Sequence, residues 1–287
     1  MKPRRRLSCA AIAVVALFAT VALTLPAGAA DDVKVKRDVT YRTVDGEKLA
    51  LDVYQPAKKG KDRPAVVLIH GGGWRMGGKQ AFADQGNQLA RRGFVAFSVN
   101  YRLAPDHPYP AAVDDVEAAV EWVRKHAKDY GVDQKRIGAL GGSAGAHLTG
   151  MLATVGEGAL SRGHRIAAGV SWSGPMDLRP LGTLPPSTPA AAGAVPTFLG
   201  CTSDACPDKY AEASPITHVD KSDAPMLIVN STMELVPQSQ ADSMKAALDT
   251  AGVANQEIIL PGKAHARAYA NRVWDQTVAF LENYLKR

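Results

Sequence analysis

Beyond residue 30 the sequence alternates short β-branched runs with longer stretches in which apolar residues return every three or four positions. That alternation restricts the fold more than any other feature, because parallel strands need a helical crossover between them and bury both faces. It predicts strands over 65–70, 95–100, 136–140, 166–172, 225–229 and 256–260, and helices over 81–92, 111–130, 144–155, 238–251 and 274–284. Val113, Val116, Val120 and Val123 draw the apolar stripe of the second helix, which Gly131 ends. Two earlier runs, 33–43 and 49–54, flank Asp45 and Gly46, a turn-forming pair, so a hairpin opens the fold. Five prolines among the 17 residues of 180–196 argue against helix and central strand, leaving a loop long enough to cover a site. The expected class is α/β: one domain over 30–287, with a mostly parallel central sheet, an N-terminal hairpin and helices on both faces.

Residues 7–25 carry no charge, follow Lys2, Arg4, Arg5 and Arg6, and run into Pro26 and then Ala27, Gly28 and Ala29, a small-x-small pattern suited to signal peptidase. Residues 1–29 are therefore expected to be a cleaved export signal, giving a secreted protein with no stable membrane association. The alternative is an uncleaved anchor formed by 7–25. The formal charge of +6 includes four cationic residues ahead of the first acid, Asp31, so the processed chain carries 6 − 4 = +2. That small excess removes most of the case for a nucleic-acid partner. Export also governs the cysteines: Cys9 leaves with the signal, and Cys201 and Cys206, five positions apart, are expected to form a disulfide. No further ligand residues stand beside them at regular spacing, so no metal is expected.

The 136–140 strand runs into Gly141, Gly142, Ser143, Ala144 and Gly145, and the helical pattern begins at once. Strand, GxSxG turn and helix make a nucleophile elbow: small residues let the backbone pass closely, and the hydroxyl stands clear of the sheet. Upstream, the 65–70 strand ends in His70, Gly71, Gly72, Gly73 and Trp74, a bare backbone whose amides can face a developing negative charge. A serine hydroxyl needs a base near neutral pH, and imidazole is the side chain poised there. Of seven histidines only His265 follows the last strand, where the chain order serine, acid, histidine puts the base. Gly73, Gly78 and Lys79 also match the front of a phosphate-binding loop, but Gln80 stands where Ser or Thr would ligate magnesium.

Together with NYRLAP at 100–105, YPAAVDD at 109–115 and the late Val236-Pro237 pair, these motifs resemble those of the α/β hydrolases related to hormone-sensitive lipase, and most of all the secreted feruloyl and acetylxylan esterase-like proteins. The resemblance covers nearly all of the chain beyond the signal. It implies an α/β-hydrolase fold and a serine carboxylesterase without cofactors. Its substrates would be short acyl or aryl esters, as small molecules or on carbohydrate. An arylformamidase cleaving an amide is the enzymatic alternative, because the same machinery opens both bonds. By the same resemblance Ser143 is the nucleophile, His265 the base, and the amides of Gly72, Gly73 and Ala144 the oxyanion hole. Tyr101, Arg102, Pro105 and Asp115 fall at positions that brace the loop beside the site.

One position departs from the pattern. The family usually places an aspartate four residues before the proline of the Val-Pro pair, where this chain has Met233. Methionine cannot accept the imidazole N–H, and disabling the acid of a serine-protease triad lowers turnover by roughly 10⁴. Three accounts compete. Glu234, the next residue, reaches into the same space with a longer side chain; Asp177, just past the 166–172 strand, supplies the carboxylate; or the chain is a weak or inactive hydrolase-fold protein that only binds.

Overall fold

The computed structural model describes residues 32–181 and 193–286. The expected signal at 1–29 and the alternative anchor at 7–25 lie outside them, as does most of the 180–196 segment. No helix among the described residues is long and apolar enough to cross a membrane.

Strands β1 (Val33–Val44) and β2 (Glu47–Pro56) form the opening hairpin, and Asp45 and Gly46 turn it with φ of 51° and 86°. Positive φ at both central residues matches the right-handed twist of the flanking strands. There follow β3 (Arg63–Ile69), β4 (Val95–Val99), β5 (Val132–Gly142), β6 (Gly169–Trp172), β7 (Met226–Ser231) and β8 (Asn255–Leu260), which complete one eight-stranded sheet in the order β1-β2-β4-β3-β5-β6-β7-β8. The β1–β2 and β2–β4 pairs are antiparallel; β3 through β8 pair in parallel. The predicted mostly parallel sheet is thus the observed one.

Helices α1 (Ala83–Arg91), α2 (Ala111–Lys125), α3 (Ala127–Tyr130), α4 (Ala144–Thr154), α5 (Leu178–Leu181), α6 (Ala194–Leu199), α7 (Pro207–Glu212), α8 (Ser239–Ala251) and α9 (Ala270–Leu285) connect the strands. The sheet separates two apolar layers. Val113, Val116, Val120 and Val123 of α2 join Leu148 of α4 and Met244 of α8 on one face, while Leu89 of α1 and Val273, Val278 and Leu281 of α9 pack on the other. Along β3 the side chains divide by parity: Ala65, Val67 and Ile69 enter the first layer, and Val66 and Leu68 the second. A strand buried on both faces needs the continuous apolar run PAVVLI that the sequence supplies.

Three expectations are corrected. The helix anticipated over 111–130 breaks at His126, whose ring Nδ1 bonds the carbonyl of Trp122 at 2.8 Å, and resumes as α3. The strand anticipated over 166–172 is regular only over Gly169–Trp172, although Ala167 and Ala168 already bond β5 at 2.8 and 3.0 Å. The proline-rich stretch is not loop at its ends, because α5 contains Pro180 and α6 contains Pro196. Both prolines stand in the first turn, where the backbone N–H has no intrahelical partner to lose. Lys79 is buried and its ammonium pairs with Asp52 at 2.6 Å and Asp38 at 2.9 Å, which commits the lysine of the phosphate-loop pattern to the core. Cys201 and Cys206 are joined in a disulfide across the α6–α7 turn.

Candidate active site

The elbow is dictated by how closely backbones pass. Ser143 has φ 56° and ψ −121°, a conformation rare for a residue with a side chain, and it caps α4. A Cβ on Gly145 would stand 2.1 Å from the carbonyl oxygen of Ile69, so only glycine lets α4 start against the end of β3. The Ser143 N–H donates to the carbonyl of Trp172 at 2.8 Å, fixing the turn to the neighbouring strand β6. The opening amides of α4, beginning at Ala144, have no partner within the helix.

The glycine segment after β3 bends over this turn. Gly72 and Gly73 have φ of 122° and 59°, and the N–H groups of Arg75 and Met76 both donate to the carbonyl of Gly72 at 3.1 and 3.2 Å. A Cβ on Gly72 would meet the carbonyl oxygen of Met76 at 2.0 Å, so the tight turn requires the bare residue. Two histidines brace the segment. His70 donates from Nδ1 to the carbonyl of Gly71 at 2.8 Å and stacks on Tyr101, whose hydroxyl donates to the carbonyl of His70 at 2.9 Å. His147, one turn into α4, accepts the indole N–H of Trp74 at Nδ1 and bonds the carbonyl of Ala213 through Nε2 at 2.7 Å. Burial pushes both imidazoles down to about 4, so they are neutral braces at pH 7. Arg102 clamps Asp115 with Nε and a terminal nitrogen at 2.8 and 3.0 Å, holding the 100–105 segment beside the site as the motif comparison implies.

His265 follows β8, and its Nδ1 bonds Glu234 Oε2. The Glu234 side chain is fully enclosed, and burying a carboxylate is costly unless hydrogen bonds replace its water. They do: Oε1 accepts the N–H of Ser231 at 2.7 Å and the hydroxyl of Ser173 at 2.8 Å. With Nδ1–H donating to the carboxylate, Nε2 of His265 is left as the basic nitrogen. Met233, at the position where the aspartate was expected, is 62% exposed. Asp177 is the correction: both its oxygens are taken by the guanidinium of Arg179, at 2.8 and 2.7 Å, and its carboxylate makes no bond to His265. A carboxylate already paired with a guanidinium beside a short helix braces its own loop.

Ser143, His265 and Glu234 line a single cavity of about 750 Å³ together with Gly71, Gly72, Gly73 and Ala144. Its remaining wall is mainly apolar, with Phe82, Leu181, Val195, Leu235 and Val236, and it carries Arg75 and Arg267. Gly193 through Pro196 belong to this wall, so the end of the proline-rich segment contributes directly to it. The sequence offered no motif for Ser173, Ser231 or Tyr269, which complete the buried network behind Glu234. Ser231 ends β7 and Ser173 follows β6, whereas Tyr269 stands in the turn that leads into α9, so position is a sequence signal only for the two serines.

Comparison with known proteins follows the same lines. Residues 51–248 match the BD-FAE family. Esterase LipQ of Mycobacterium tuberculosis is 30% identical over 255 residues, spanning 84% of this chain and 59% of that protein. Carboxylesterase NlhH of the same species is 42% identical over 106 residues, 35% of this chain and 32% of its own length. The chain therefore spans between about a third and three fifths of these two relatives. Among solved structures, a truncated carbohydrate esterase from gut microbiota superposes with a TM-score of 0.77 at 25% identity over 90% of this chain and 99% of its own. An esterase of Thermogutta terrifontis gives 0.72 at 28% over 88% and 92%. With the profile match covering well over half of the sequence and the sheet order and elbow in place, the chain belongs to the BD-FAE family of α/β hydrolases.

Proposed function

We propose that this protein is a serine carboxylesterase. The observation that carries the proposal is the convergence of Ser143, on a strained strand-to-helix turn, and His265, backed by the enclosed Glu234 carboxylate, on one cavity under the glycine segment. Ser143 Oγ attacks the ester carbonyl while Nε2 of His265 takes its proton. The glutamate holds Nδ1–H and offsets the imidazolium charge. The carbonyl oxygen becomes an oxyanion facing the amides of Gly72, Gly73 and Ala144, which are oriented before the reaction and need no reorganisation. The imidazolium returns its proton to the departing alkoxide, and water, activated by the same nitrogen, releases the acyl group. A serine-protease-like triad with glutamate as acid fits the same geometry, the longer side chain reaching from position 234 what an aspartate would reach from 233.

The esterases among its relatives and structural neighbours support ester over amide hydrolysis. The apolar wall suits a short acyl or aryl group, and the carbohydrate-esterase neighbour supports sugar-borne esters among the substrates. The basic, uncharged and small-residue parts of 1–29 support export, with the processed protein secreted. The test is hydrolysis of a short-chain nitrophenyl ester by the chain lacking residues 1–29. Turnover that disappears in Ser143→Ala is expected; equal rates from the two proteins would refute catalysis at this serine.

A further inference from the structure

Ser173 is the residue that follows β6, and nothing in its sequence context marks it. It is fully buried with φ 59°, a conformation that residues with a side chain seldom adopt. Its hydroxyl meets three groups. It lies 2.8 Å from Glu234 Oε1, 2.8 Å from the backbone N–H of Ala266 and 2.8 Å from the Tyr269 hydroxyl. The Ser173 hydroxyl donates to Glu234, which as a carboxylate only accepts, and its oxygen accepts the Ala266 N–H. Tyr269, whose hydroxyl donates to the carbonyl of Val229 at 3.0 Å, stays a protonated phenol because burial raises its pKa. One hydroxyl therefore ties the acid to the residue directly after the base. The same strand end, through the carbonyl of Trp172, accepts the N–H of Ser143.

Resting on the esterase function proposed above, we infer that Ser173 is a positioning residue for the Glu234–His265 pair, its hydroxyl aligning a glutamate that enters from one residue beyond the usual acid position. The glutamate has one more rotatable bond than aspartate, and its alignment needs a fixed donor. Two donors on Oε1, the Ser231 amide and the Ser173 hydroxyl, leave Oε2 for the imidazole alone. Ser173 touches neither substrate nor the reacting atoms, so its effect must pass through Glu234.

The experiment is a double-mutant cycle on nitrophenyl ester hydrolysis using Ser173→Ala, Glu234→Ala and the double variant. Alanine keeps the φ that serine already adopts and removes only the hydroxyl. Ser173→Ala is expected to lower kcat by about 10- to 100-fold with KM within about twofold, and to cost less than about twofold more in the Glu234→Ala background. Losses that multiply, or a Ser173→Ala enzyme with wild-type kcat, would overturn the inference. Should the alanine chain melt below the assay temperature, Ser173→Gly, relaxed at this φ, runs the same cycle. A substrate-free reading separates the two proposals. The His265 Nδ1 proton is expected to give a hydrogen-bonded, downfield NMR signal that shifts or broadens in Ser173→Ala; an unmoved signal overturns the positioning role, whereas a wild-type protein that hydrolyses no ester overturns the function alone.

Discussion

Glu234 bonds His265 although the residue at the expected acid position is Met233. The carboxylate sits at the imidazole from the neighbouring position, and the exposed methionine occupies the place the motif reserves for aspartate. Two outcomes follow. Glu234→Gln, which keeps the size but removes the charge that stabilises the imidazolium, is expected to lower kcat by roughly 10³–10⁴, measured by ester hydrolysis under saturating substrate. Met233→Asp is expected to leave kcat within about twofold, because the added carboxylate meets solvent rather than the base; a gain of tenfold would mean the acid position was vacant after all. Spacing and chain order were enough to bring Ser143 and His265 to one cavity, because those follow from covalent connectivity. Which carboxylate would meet the imidazole was not legible, since Glu234 and Asp177 both follow strands and only the packing of the strand ends puts Glu234 against His265.

At the level of elements, the strand–turn–helix junction is held by close backbone approach rather than by side-chain contacts. Gly145 sits where a Cβ would press on the carbonyls of Ile69 and His70, at 2.1 and 2.5 Å, and backbone at the hydrogen-bonded end of β3 cannot retreat. Gly145→Ala is expected to cost about 2–3 kcal/mol of stability, read as a lower urea midpoint at unchanged slope, and to abolish turnover by displacing Ser143. Periodicity located β3, β4, β7, β8 and α4 to within a residue or two, because apolar runs and stripes are the physical cause of those elements. It missed α5 and α6, each of a few residues, whose first turns accept proline and whose burial of Leu178 and Phe198 comes from contacts far away in sequence. Phe198 stacks on Trp74 at 4.5 Å, so a helix unreadable in the sequence steadies the most readable motif.

For the molecule as a whole, acid is the stress to which the fold is tuned to respond. His70 and His147 are held near 4 by burial, below the 6.5 of an unfolded imidazole, so the unfolded chain binds more protons between those values. Stability is therefore full above pH 6.5 and falls as pH drops towards 4, by up to about 3 kcal/mol for each imidazole. Urea unfolding at pH 7 and pH 4.5 checks this, and His147→Phe is expected to flatten the dependence. Stability equal at both pH values would contradict neutral burial of the two rings. The mostly parallel sheet and its helices on both faces were foreseeable because they obey parity and crossover rules; the strand order and the buried polar network were not, since each member of that network is common and only their meeting is informative.

That meeting joins distant parts of the chain. The bond from the Ala266 amide to Ser173 spans 93 residues, and Ser143 lies a further 30 upstream of position 173. During synthesis, the elbow and the glycine segment can form long before residue 265 has left the ribosome, yet they would be chemically silent. Under the proposed function, hydrolysis would therefore begin only once the segment after β8 has docked against the end of β6, which would make ester turnover a late reporter of complete folding.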